Sequence, residues 1–288
     1  MKYAVFILTH KRPYTQDTLN ALRNAGYTGD IYLVIDDEDS TQDEYIQNFN
    51  AGAYDCTDVL IFNKEVYRQT VDTGVTENVS SAVFARNFIE DIAKYFELDC
   101  FAMADDDAMK FRHRYVENDV LKSDLVTDMD SVLRAYFDYI LTTNICTTSF
   151  GLPSSYIGGI KGLSYRIITD RARLCFCFFL RNAHIDVDWR LALFEDWVSA
   201  VESNRKGNIF VQAFPIQADF KPMMSNAQGG HEELYNVGGK FKKVAFPLMY
   251  LPDCTYISLR KGDFNPVILQ DRMMPKIISG RYKKNELV

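Results

Sequence analysis

Short, almost continuously apolar segments alternate with amphipathic segments over the first 110 residues. A segment that is apolar at nearly every position is typical of a strand buried on both faces of a sheet, whereas apolar residues spaced three and four apart indicate a helix. The predicted strands are Tyr3–Thr9, Ile31–Ile35, Asp58–Phe62 and Cys100–Ala104, and the predicted helices are Tyr14–Ala25, Thr41–Phe49 and Val79–Leu98. This alternation predicts an α/β fold with a mixed, mainly parallel central sheet and helices on both faces.

The pattern is less regular after residue 110. Its predicted elements are one or two helices over Asn118–Thr142, strands over Leu174–Leu180 and Ile209–Ala213, and a helix that begins at Glu195 and ends near Ser203. Two polar, turn-rich segments, Glu65–Asn78 and Ser225–Tyr235, are expected to be loops.

The predicted strand Cys100–Ala104 is followed by three consecutive carboxylates, Asp105, Asp106 and Asp107. Adjacent acids repel one another and have low strand propensity, so an opposite charge has to offset them. At the carboxyl end of a buried strand this charge is commonly a hard divalent cation with oxygen ligands. A solvated acidic turn without a metal is the alternative that the triplet by itself leaves open.

Polar residues also follow the first two predicted strands, at His10–Arg12 and at Asp36–Asp39. Ligands of parallel sheets bind outside the carboxyl ends of the strands, so we expect these residues and the acidic triplet to meet at one edge. The chain contains neither GxGxxG nor GxxxxGK[ST], which argues against a dinucleotide-binding domain and against a P-loop enzyme.

The composition of the chain argues against several classes of protein. The chain has 288 residues, 47% of them hydrophobic, which suffices for a large core. No apolar run approaches the ~18 residues of a membrane span, and Lys2–Thr9 is too short for a signal peptide, so we expect a soluble, cytoplasmic protein without a membrane partner. Six cysteines without CxxC spacing argue against a zinc site. A net charge of −7 argues against a general nucleic-acid binder but leaves room for a local basic surface.

The order of these motifs makes the chain resemble the GT-A fold glycosyltransferases over nearly its whole length. The segment Thr9–Pro13 is similar to the motif with which those enzymes seat the nucleotide, and the second strand end matches another nucleotide contact. The resemblance implies a single GT-A domain with a nucleotide-binding half at residues 1–110, an acceptor half at 111–260 and a basic tail at 261–288. It implies that the residues in contact with a nucleotide-sugar donor are Thr9, Arg12, Asp36, Asp37, Arg86, Asp105 and Asp106.

The segment Met103–Asp107 is similar to the DxD motif of that family. This similarity implies a reaction that depends on Mn²⁺ or Mg²⁺ and uses a nucleotide-diphosphate sugar, a UDP-sugar in the first place. Asp107 is expected to be the direct metal ligand, and Asp105 to contact the ribose or the metal. Because side chains alternate along an extended chain, Asp106 is expected to point away from these two. His231 matches a third metal contact of the family, although a histidine in a polar loop can also be simply solvated.

Glu195 and Asp196 resemble the ED element of the family. In its inverting branch one such carboxylate takes the proton from the acceptor hydroxyl, and we expect Asp196 to be this base, with Glu195 as the second candidate. A retaining enzyme would use the same residues differently. Acids in a first helical turn also interact favourably with the helix dipole, so a capping role stays open for both.

The compact size and the segment Ser225–Tyr235 resemble phage-type enzymes that glycosylate hydroxymethylated pyrimidines in DNA and are associated with base-oxidising systems. This resemblance implies double-stranded modified DNA as the acceptor, in a host cytoplasm. Basic residues interleaved with aromatic ones suit phosphate contacts and stacking on a flipped base. The expected DNA contacts are Lys242, Lys243, Arg281 and Lys283. The alternatives are a glycan, protein or small-molecule acceptor, a sugar nucleotidyltransferase, and a non-catalytic binding module.

Overall fold

The computed structural model of the protein describes residues 1–74, 81–143, 145–160, 168–169, 178–221, 244–260 and 263–269. The strands in these ranges form one ten-stranded sheet and a separate two-stranded hairpin. No helix in the same ranges is long and apolar enough to cross a membrane.

The amino-terminal part of the sheet consists of parallel strands and the helices that connect them. The strands are β1 (Tyr3–Leu8), β2 (Ile31–Asp36), β3 (Asp58–Phe62) and β4 (Cys100–Asp105), and the helices are α1 (Asp17–Asn24), α2 (Gln42–Asn50), α3 (Lys64–Thr70) and α4 (Ala82–Tyr95). The strand order is β3-β2-β1-β4, with every pairing parallel. All four predicted strands are confirmed, and their carboxyl ends lie at one edge of the sheet.

The remaining part of the sheet is mixed. Its strands are β5 (Ala108–Glu117), β6 (Val120–Leu125), β7 (Thr147–Gly151), β8 (Ile168–Thr169), β9 (Phe178–Asn182) and β10 (Phe210–Phe220). They continue the order as β4-β9-β7-β10-β5-β6, with β8 paired to β10. The other elements are α5 (Met129–Thr143), a 3-10 helix (Pro153–Tyr156), α6 (Glu195–Arg205), a helical segment at 244–250, and the hairpin of β11 (Thr255–Arg260) and β12 (Asp263–Ile268).

Alternate side chains of the central strands fill two cores, one on each face of the sheet. Phe6 of β1 belongs to a core that includes Phe84 of α4, whereas Val5 and Ile7 belong to a second core that includes Leu22 of α1. Strands that are buried on both faces need apolar residues at nearly every position, which explains their composition. The α/β class with helices on both faces is therefore confirmed, and it is the class that the resemblance to GT-A enzymes implies.

The prediction of one or two helices over Asn118–Thr142 is wrong for its first part, which forms the hairpin of β5 and β6. Asn118 and Asp119, with φ of 50° and 57°, make the two-residue turn between Glu117 and Val120. Two left-handed residues in succession match the twist of the flanking strands, and Asn and Asp tolerate this conformation well. The apolar periodicity belongs to α5, where Met129 is the first buried residue.

The prediction of a loop over Glu65–Asn78 is also wrong in part, because α3 occupies Lys64–Thr70. The Asn63 side chain caps this helix by accepting a hydrogen bond from the Val66 N–H at 3.2 Å. Tyr67 packs edge-on against Phe88 of α4 at 6.2 Å between ring centroids. The helix has no apolar stripe to reveal it, so its cap and its tertiary contacts stabilise it. Residues 75–78 lie outside the described ranges.

The later predictions are confirmed where the structure describes them. Helix α6 begins at Glu195 as predicted. Strand β10 is longer than the predicted Ile209–Ala213 and reaches Phe220, because it pairs with β7 on one side and with β5 on the other. The predicted strand over Leu174–Leu180 is observed from Phe178 onward as β9, and residues 174–177 lie outside the described ranges.

Candidate active site

A cavity of about 220 Å³ lies where the carboxyl ends of the four parallel strands meet the amino end of α4. Its polar lining comprises Thr9, His10, Arg12, Asp36, Lys64, Ser81, Asp105, Asp106 and Asp107. The structure thus brings together seven residues that were predicted at the strand ends, namely all of this polar lining except Lys64 and Ser81. Whole-ligand pockets of proteins measure roughly 300–1,000 Å³, so this cavity is smaller than a typical pocket for a whole ligand.

Asp106 anchors the end of β4 to the turn after β1. Its carboxylate accepts hydrogen bonds from the Thr9 hydroxyl at 2.8 Å and from Arg12 Nη1 at 2.5 Å. Tyr45 completes the network, with its hydroxyl 2.8 Å from Thr9 Oγ1 and 3.0 Å from the Arg12 N–H that donates to it. Asp106 is 4% exposed. Both of its oxygens are used within the protein, so its role here is to hold the loop and strand together.

Asp107 is the carboxylate of the triplet whose charge is least compensated. Its Oδ1 is buried and has no hydrogen-bond partner among the described residues. Burial raises the pKa of Asp107 to about 7, and the neighbouring carboxylates of Asp105 and Asp106 contribute to the rise. A buried carboxylate oxygen without a partner is costly, so the position favours a bound cation or a proton.

Arg86 joins the acidic triplet to α6. It projects from α4 and is 2% exposed. Its Nη2 lies 3.3 Å from Asp105 Oδ1, and its Nε lies 3.3 Å from Glu195 Oε1. The guanidinium also lies over the rings of Phe179 and Trp189, at 5.0 and 5.2 Å from their centroids. The sequence predicted Arg86 as a donor contact, whereas the structure places it between two protein carboxylates that are 90 residues apart in the chain.

A buried ionic network of Glu90 and Arg181 positions the Trp189 ring that contacts Arg86. The Trp189 indole N–H donates to Glu90 Oε1 at 3.0 Å, and Arg181 binds both oxygens of Glu90 at 2.9 and 3.0 Å. Arg181 is fully buried and also donates to the carbonyls of Cys146 and Ile185, each at 2.8 Å. These hydrogen bonds compensate the buried charges and hold the Trp189 ring in contact with Arg86.

Asp196 lies in the first turn of α6, next to Glu195. The helix begins after Phe194, whose φ of 64° turns the chain sharply into the helix. Asp196 Oδ1 accepts the Trp197 N–H at 2.7 Å, so it satisfies one free donor of the first turn. Burial raises the pKa of Asp196 well above its usual value, the Glu195 charge adds to the rise, and Arg86 opposes it. Such a carboxyl suits general-base chemistry near neutral pH. Neither Glu195 nor Asp196 is part of the cavity lining.

Asp36 forms a second polar centre at the opposite side of the cavity. Its Oδ2 lies 3.1 Å from His10 Nδ1, and its Oδ1 lies 3.4 Å from Lys64 Nζ. Burial alone would raise the pKa of Asp36, but the hydrogen bond with His10 and the charge of Lys64 outweigh it and hold the pKa below its usual value. Asp36 is therefore an ionised acceptor that faces the cavity.

Lys64 is a site residue that the sequence analysis missed. It is 5% exposed, and its Nζ also lies 3.3 Å from Glu38 Oε2. The residue stands two positions after the end of β3, so the rule that singled out the ends of the other three strands would have found it. The polar sequence that follows it, Glu65–Asn78, favoured a loop, so the helix that carries Lys64 was not predicted.

The remaining predicted site residues are outside the cavity or outside the described ranges. Asp37 is exposed, and its Oδ1 accepts the Lys64 N–H at 2.9 Å without lining the cavity. The predicted residues that lie outside the described ranges are His231, Lys242, Lys243, Arg281 and Lys283. Within the described ranges, no three His, Cys, Asp or Glu side chains are grouped closely enough to hold a metal ion.

The acidic triplet nevertheless fits a cation. Asp105 has one-third of its side chain exposed and Asp107 has a buried oxygen without a described partner, so both offer carboxylate oxygens at one strand end. Hard divalent cations prefer such oxygens and accept additional ligands from water or substrate phosphates. The two carboxylates would therefore be a partial ligand set.

Comparisons with known proteins place the chain in a family. No curated protein matches its sequence. The crystal structure of residues 1–349 of S. aureus TarS superposes with a TM-score of 0.43 and 12% sequence identity, over 76% of this chain and 60% of that one. The family model described as "TET-Associated Glycosyltransferase" matches residues 3–229. This protein therefore belongs to the TET-associated glycosyltransferase family.

Proposed function

We propose that this protein is a glycosyltransferase that moves a sugar from a nucleotide-diphosphate donor, a UDP-sugar in the first place, to the hydroxymethyl group of a modified pyrimidine in DNA, with Mn²⁺ or Mg²⁺ as cofactor. The observation that carries the proposal is the uncompensated Asp107 carboxylate beside Asp105, joined through Arg86 to the Glu195–Asp196 pair. Arg86 thus connects the carboxylates that could bind a cation to the pair that contains the candidate base.

Asp105 and Asp107 would hold the metal ion, together with donor oxygens and with His231 as a further candidate ligand. A bound Mn²⁺ or Mg²⁺ acts as a Lewis acid that stabilises the negative charge of a diphosphate leaving group. Arg86 keeps Asp105 in place, because its guanidinium is itself held by Glu195 and by the two aromatic rings.

The cavity next to the triplet would hold the nucleoside part of the donor. Asp36 offers an ionised acceptor for the hydroxyl or N–H groups of a nucleoside, and Lys64 is a nearly buried cation on the same wall. The cavity is too small for a complete nucleotide-sugar, so the sugar would extend past the acidic triplet, out of the cavity, toward α6.

Asp196 would act as the base in an inverting transfer. The acceptor oxygen forms a bond to the anomeric carbon, the bond from that carbon to the diphosphate oxygen breaks, and the leaving diphosphate takes the electron pair. The proton of the acceptor hydroxyl moves to Asp196. Its raised pKa makes the carboxylate a stronger base than an ordinary aspartate.

Two facts favour modified DNA as the acceptor. The family is described by its association with TET, which agrees with the resemblance to enzymes that accompany base-oxidising systems. A hydroxymethyl group is also a primary hydroxyl, which is the kind of acceptor that a general base activates. A glycan, protein or small-molecule acceptor would use the same donor site.

Transfer to a defined duplex tests the proposal. We expect a duplex with 5-hydroxymethylcytosine to gain the mass of one sugar per modified base when UDP-sugars and Mn²⁺ are present, as measured by mass spectrometry of the released nucleosides. The same duplex with 5-methylcytosine, which lacks the hydroxyl, should stay unchanged. Hydrolysis of the donor without transfer would contradict the proposal that DNA is the acceptor. Full transfer in the presence of a chelator would contradict the proposed metal dependence.

Replacement of Lys64 tests the nucleoside subsite. Lys64→Met removes the cation next to Asp36, and a hydrogen bond to a charged group contributes ~1.5–3 kcal/mol, so the affinity for a nucleoside diphosphate should fall about 10- to 100-fold. Titration calorimetry measures this affinity. Arg68→Met is the matched control, because Arg68 lies on the same helix and binds the same Glu38 at 2.7 Å, but does not line the cavity. Equal affinities of the two variants would contradict the assignment.

A further inference from the structure

A row of cationic side chains begins three residues after the acidic triplet. Lys110, Arg112 and Arg114 occupy alternate positions of β5, so they point to one face of the strand. Phe111, which lies between the first two, is 2% exposed and packs into the core that contains α1 and α5. The cationic row therefore points to the opposite face of the sheet.

The acidic site opens on that same face. Ala104 of β4 packs into the core with α1 and α5, whereas Met103 belongs to the other core. Asp105 lies two positions after Met103 on the same strand, so its side chain points to the same face, where it contacts Arg86. The row and the Asp105 carboxylate are thus on one face of one sheet.

The row is positively charged after its ion pairs are counted. Arg112 Nε binds Asp219 Oδ2 of β10 at 2.8 Å, and Asp219 is also the register partner of Lys110. Arg114 Nε donates to Gln217 Oε1 at 2.8 Å, and its guanidinium lies 4.6 Å from the centre of the Tyr156 ring. Within the described part of the chain, the three cations of the row have one carboxylate, Asp219, as an ion-pair partner, although the net charge of the whole chain is −7.

The cations are accessible to a ligand. Lys110 is exposed, and its ammonium has no ion pair within the described part of the chain. The side chains of Arg112 and Asp219 are 31% and 24% exposed, and an ion pair that water reaches contributes little to stability. Arg112 can therefore exchange Asp219 for a phosphate without loss of the fold.

The opposite face of the same hairpin has a different character. Tyr115 there donates a hydrogen bond to Asp124 at 2.6 Å, and Lys122 pairs with Glu117. Its acids and cations compensate each other. The excess positive charge of the hairpin therefore belongs to the face with Lys110, Arg112 and Arg114.

The dimensions of the row suit a polynucleotide backbone. Four residues of a strand span about 13 Å, a length over which one strand of DNA carries about four phosphates. Lys110 is three residues, or about 10 Å of extended chain, from Asp107. A substituent at C5 of a pyrimidine faces the major groove, and a flipped base leaves the duplex beside its own backbone.

We propose that Lys110, Arg112 and Arg114 form the surface that binds the phosphate backbone of the acceptor DNA next to the target base. This inference rests on the proposed function, because it assigns a surface to its acceptor. The row holds the backbone beside the acidic site, and Tyr156 keeps the Arg114 guanidinium in place by stacking.

The salt dependence of DNA binding tests this surface. The double variant Lys110→Gln/Arg112→Gln should bind a labelled 5-hydroxymethylcytosine duplex more weakly than the wild type in fluorescence anisotropy titrations. Between about 50 and 200 mM salt, the slope of log Kd against log salt should be smaller by about 2, because each lost phosphate contact removes ~0.9 from it. Lys122→Gln, on the opposite face of the same hairpin, is the matched control and should keep the slope of the wild type.

A single variant guards against misfolding of the double variant. Lys110→Glu breaks no side-chain hydrogen bond or ion pair within the described residues, and it should also weaken binding and reduce the slope by about 1 or more. An unchanged affinity and slope in both variants, with a wild type that binds and modifies DNA, would overturn this surface while the proposed function stands. A wild type that neither binds nor modifies hydroxymethylated DNA would overturn both.

Discussion

Replacement of Asp107 by asparagine is expected to reduce glycosyl transfer by about 10³-fold or more, while the protein stays folded. A metal ion at a diphosphate leaving group contributes several kcal/mol to the stabilisation of the transition state, and each ~1.4 kcal/mol corresponds to a factor of ten in rate. The substitution keeps the shape of the side chain and removes the charge that attracts the cation. Steady-state transfer assays and calorimetric titration with Mn²⁺ measure the two effects, and both turnover and Mn²⁺ binding should be lost together.

Asp106→Asn is the matched control within the triplet. It removes the same charge one residue away, but from a carboxylate that binds Thr9 and Arg12. We expect a lower melting temperature, because a hydrogen bond to a charged group contributes ~1.5–3 kcal/mol to the free energy of unfolding. The Mn²⁺ stoichiometry should stay unchanged. Loss of Mn²⁺ binding in this variant but not in Asp107→Asn would show that the ligand assignment within the triplet is wrong.

The pH dependence of stability reports on the environment of Asp107 in metal-free protein. Its pKa in the folded state, about 7, lies above the usual value, so the folded state binds more protons than the unfolded state between these two pH values. The contribution of Asp107 to the free energy of unfolding is therefore present at low pH and is lost as the pH rises through about 7. The Asp107→Asn variant should lack this loss, which denaturant unfolding at a series of pH values measures.

Asp196→Asn is expected to reduce turnover by ~10²–10⁴-fold, the range that general-base catalysis supplies, while donor affinity stays within a factor of about two. The substitution keeps the side-chain oxygen that accepts the Trp197 N–H and removes only the ability to take up a proton. Single-turnover transfer measures the chemical step, and calorimetry with a nucleoside diphosphate measures the donor affinity.

The pH profile separates catalysis by Asp196 from a capping role. A base has to be deprotonated, so kcat/KM of the wild type should fall as the pH drops below the pKa of Asp196. Because burial raises this pKa, the fall should occur at a higher pH than for an ordinary aspartate, and it should be absent in Asp196→Asn. A destabilised variant with normal turnover per folded molecule would instead assign Asp196 to the helix cap.

Glu195→Gln tests the second candidate for the base. Glu195 is 4% exposed and pairs with Arg86, so its replacement removes a buried partner of a buried cation. We expect a clear loss of stability, of ~3–5 kcal/mol for a broken buried pair. An activity loss larger than that of Asp196→Asn at full folding would make Glu195 the base.

The sequence alone predicted the parallel half of the sheet and the side of it that carries the chemistry. Strands β1 to β4 are apolar at nearly every position because both of their faces are buried, and that requirement is visible in single segments. The polar residues that follow them, from Thr9 to Arg12, at Asp36 and at Asp105 to Asp107, were expected at one edge for a topological reason. The family resemblance rested on the same strand ends.

Elements without a local apolar pattern were missed. Helix α3 has only one buried residue, Lys64, and depends on the Asn63 cap and on contacts with α4. The β5–β6 hairpin is solvent-exposed over much of its length, so its strands show no regular alternation, and the period of α5 was extended backward across it. In both cases the stabilising partners come from other parts of the chain.

What a residue does at the site was decided only by the tertiary structure. Asp105, Asp106 and Asp107 are three identical side chains in a row, yet the first meets Arg86, the second is held by Thr9 and Arg12, and the third has a buried oxygen without a described partner. A one-dimensional pattern determines which residues are buried together on average, because burial follows periodicity. The charge state of a carboxylate depends on distances of a few ångströms to groups elsewhere in the chain, here 19 residues away for Asp105 and Arg86 and 97 for Asp106 and Thr9, and only the packed chain sets those distances.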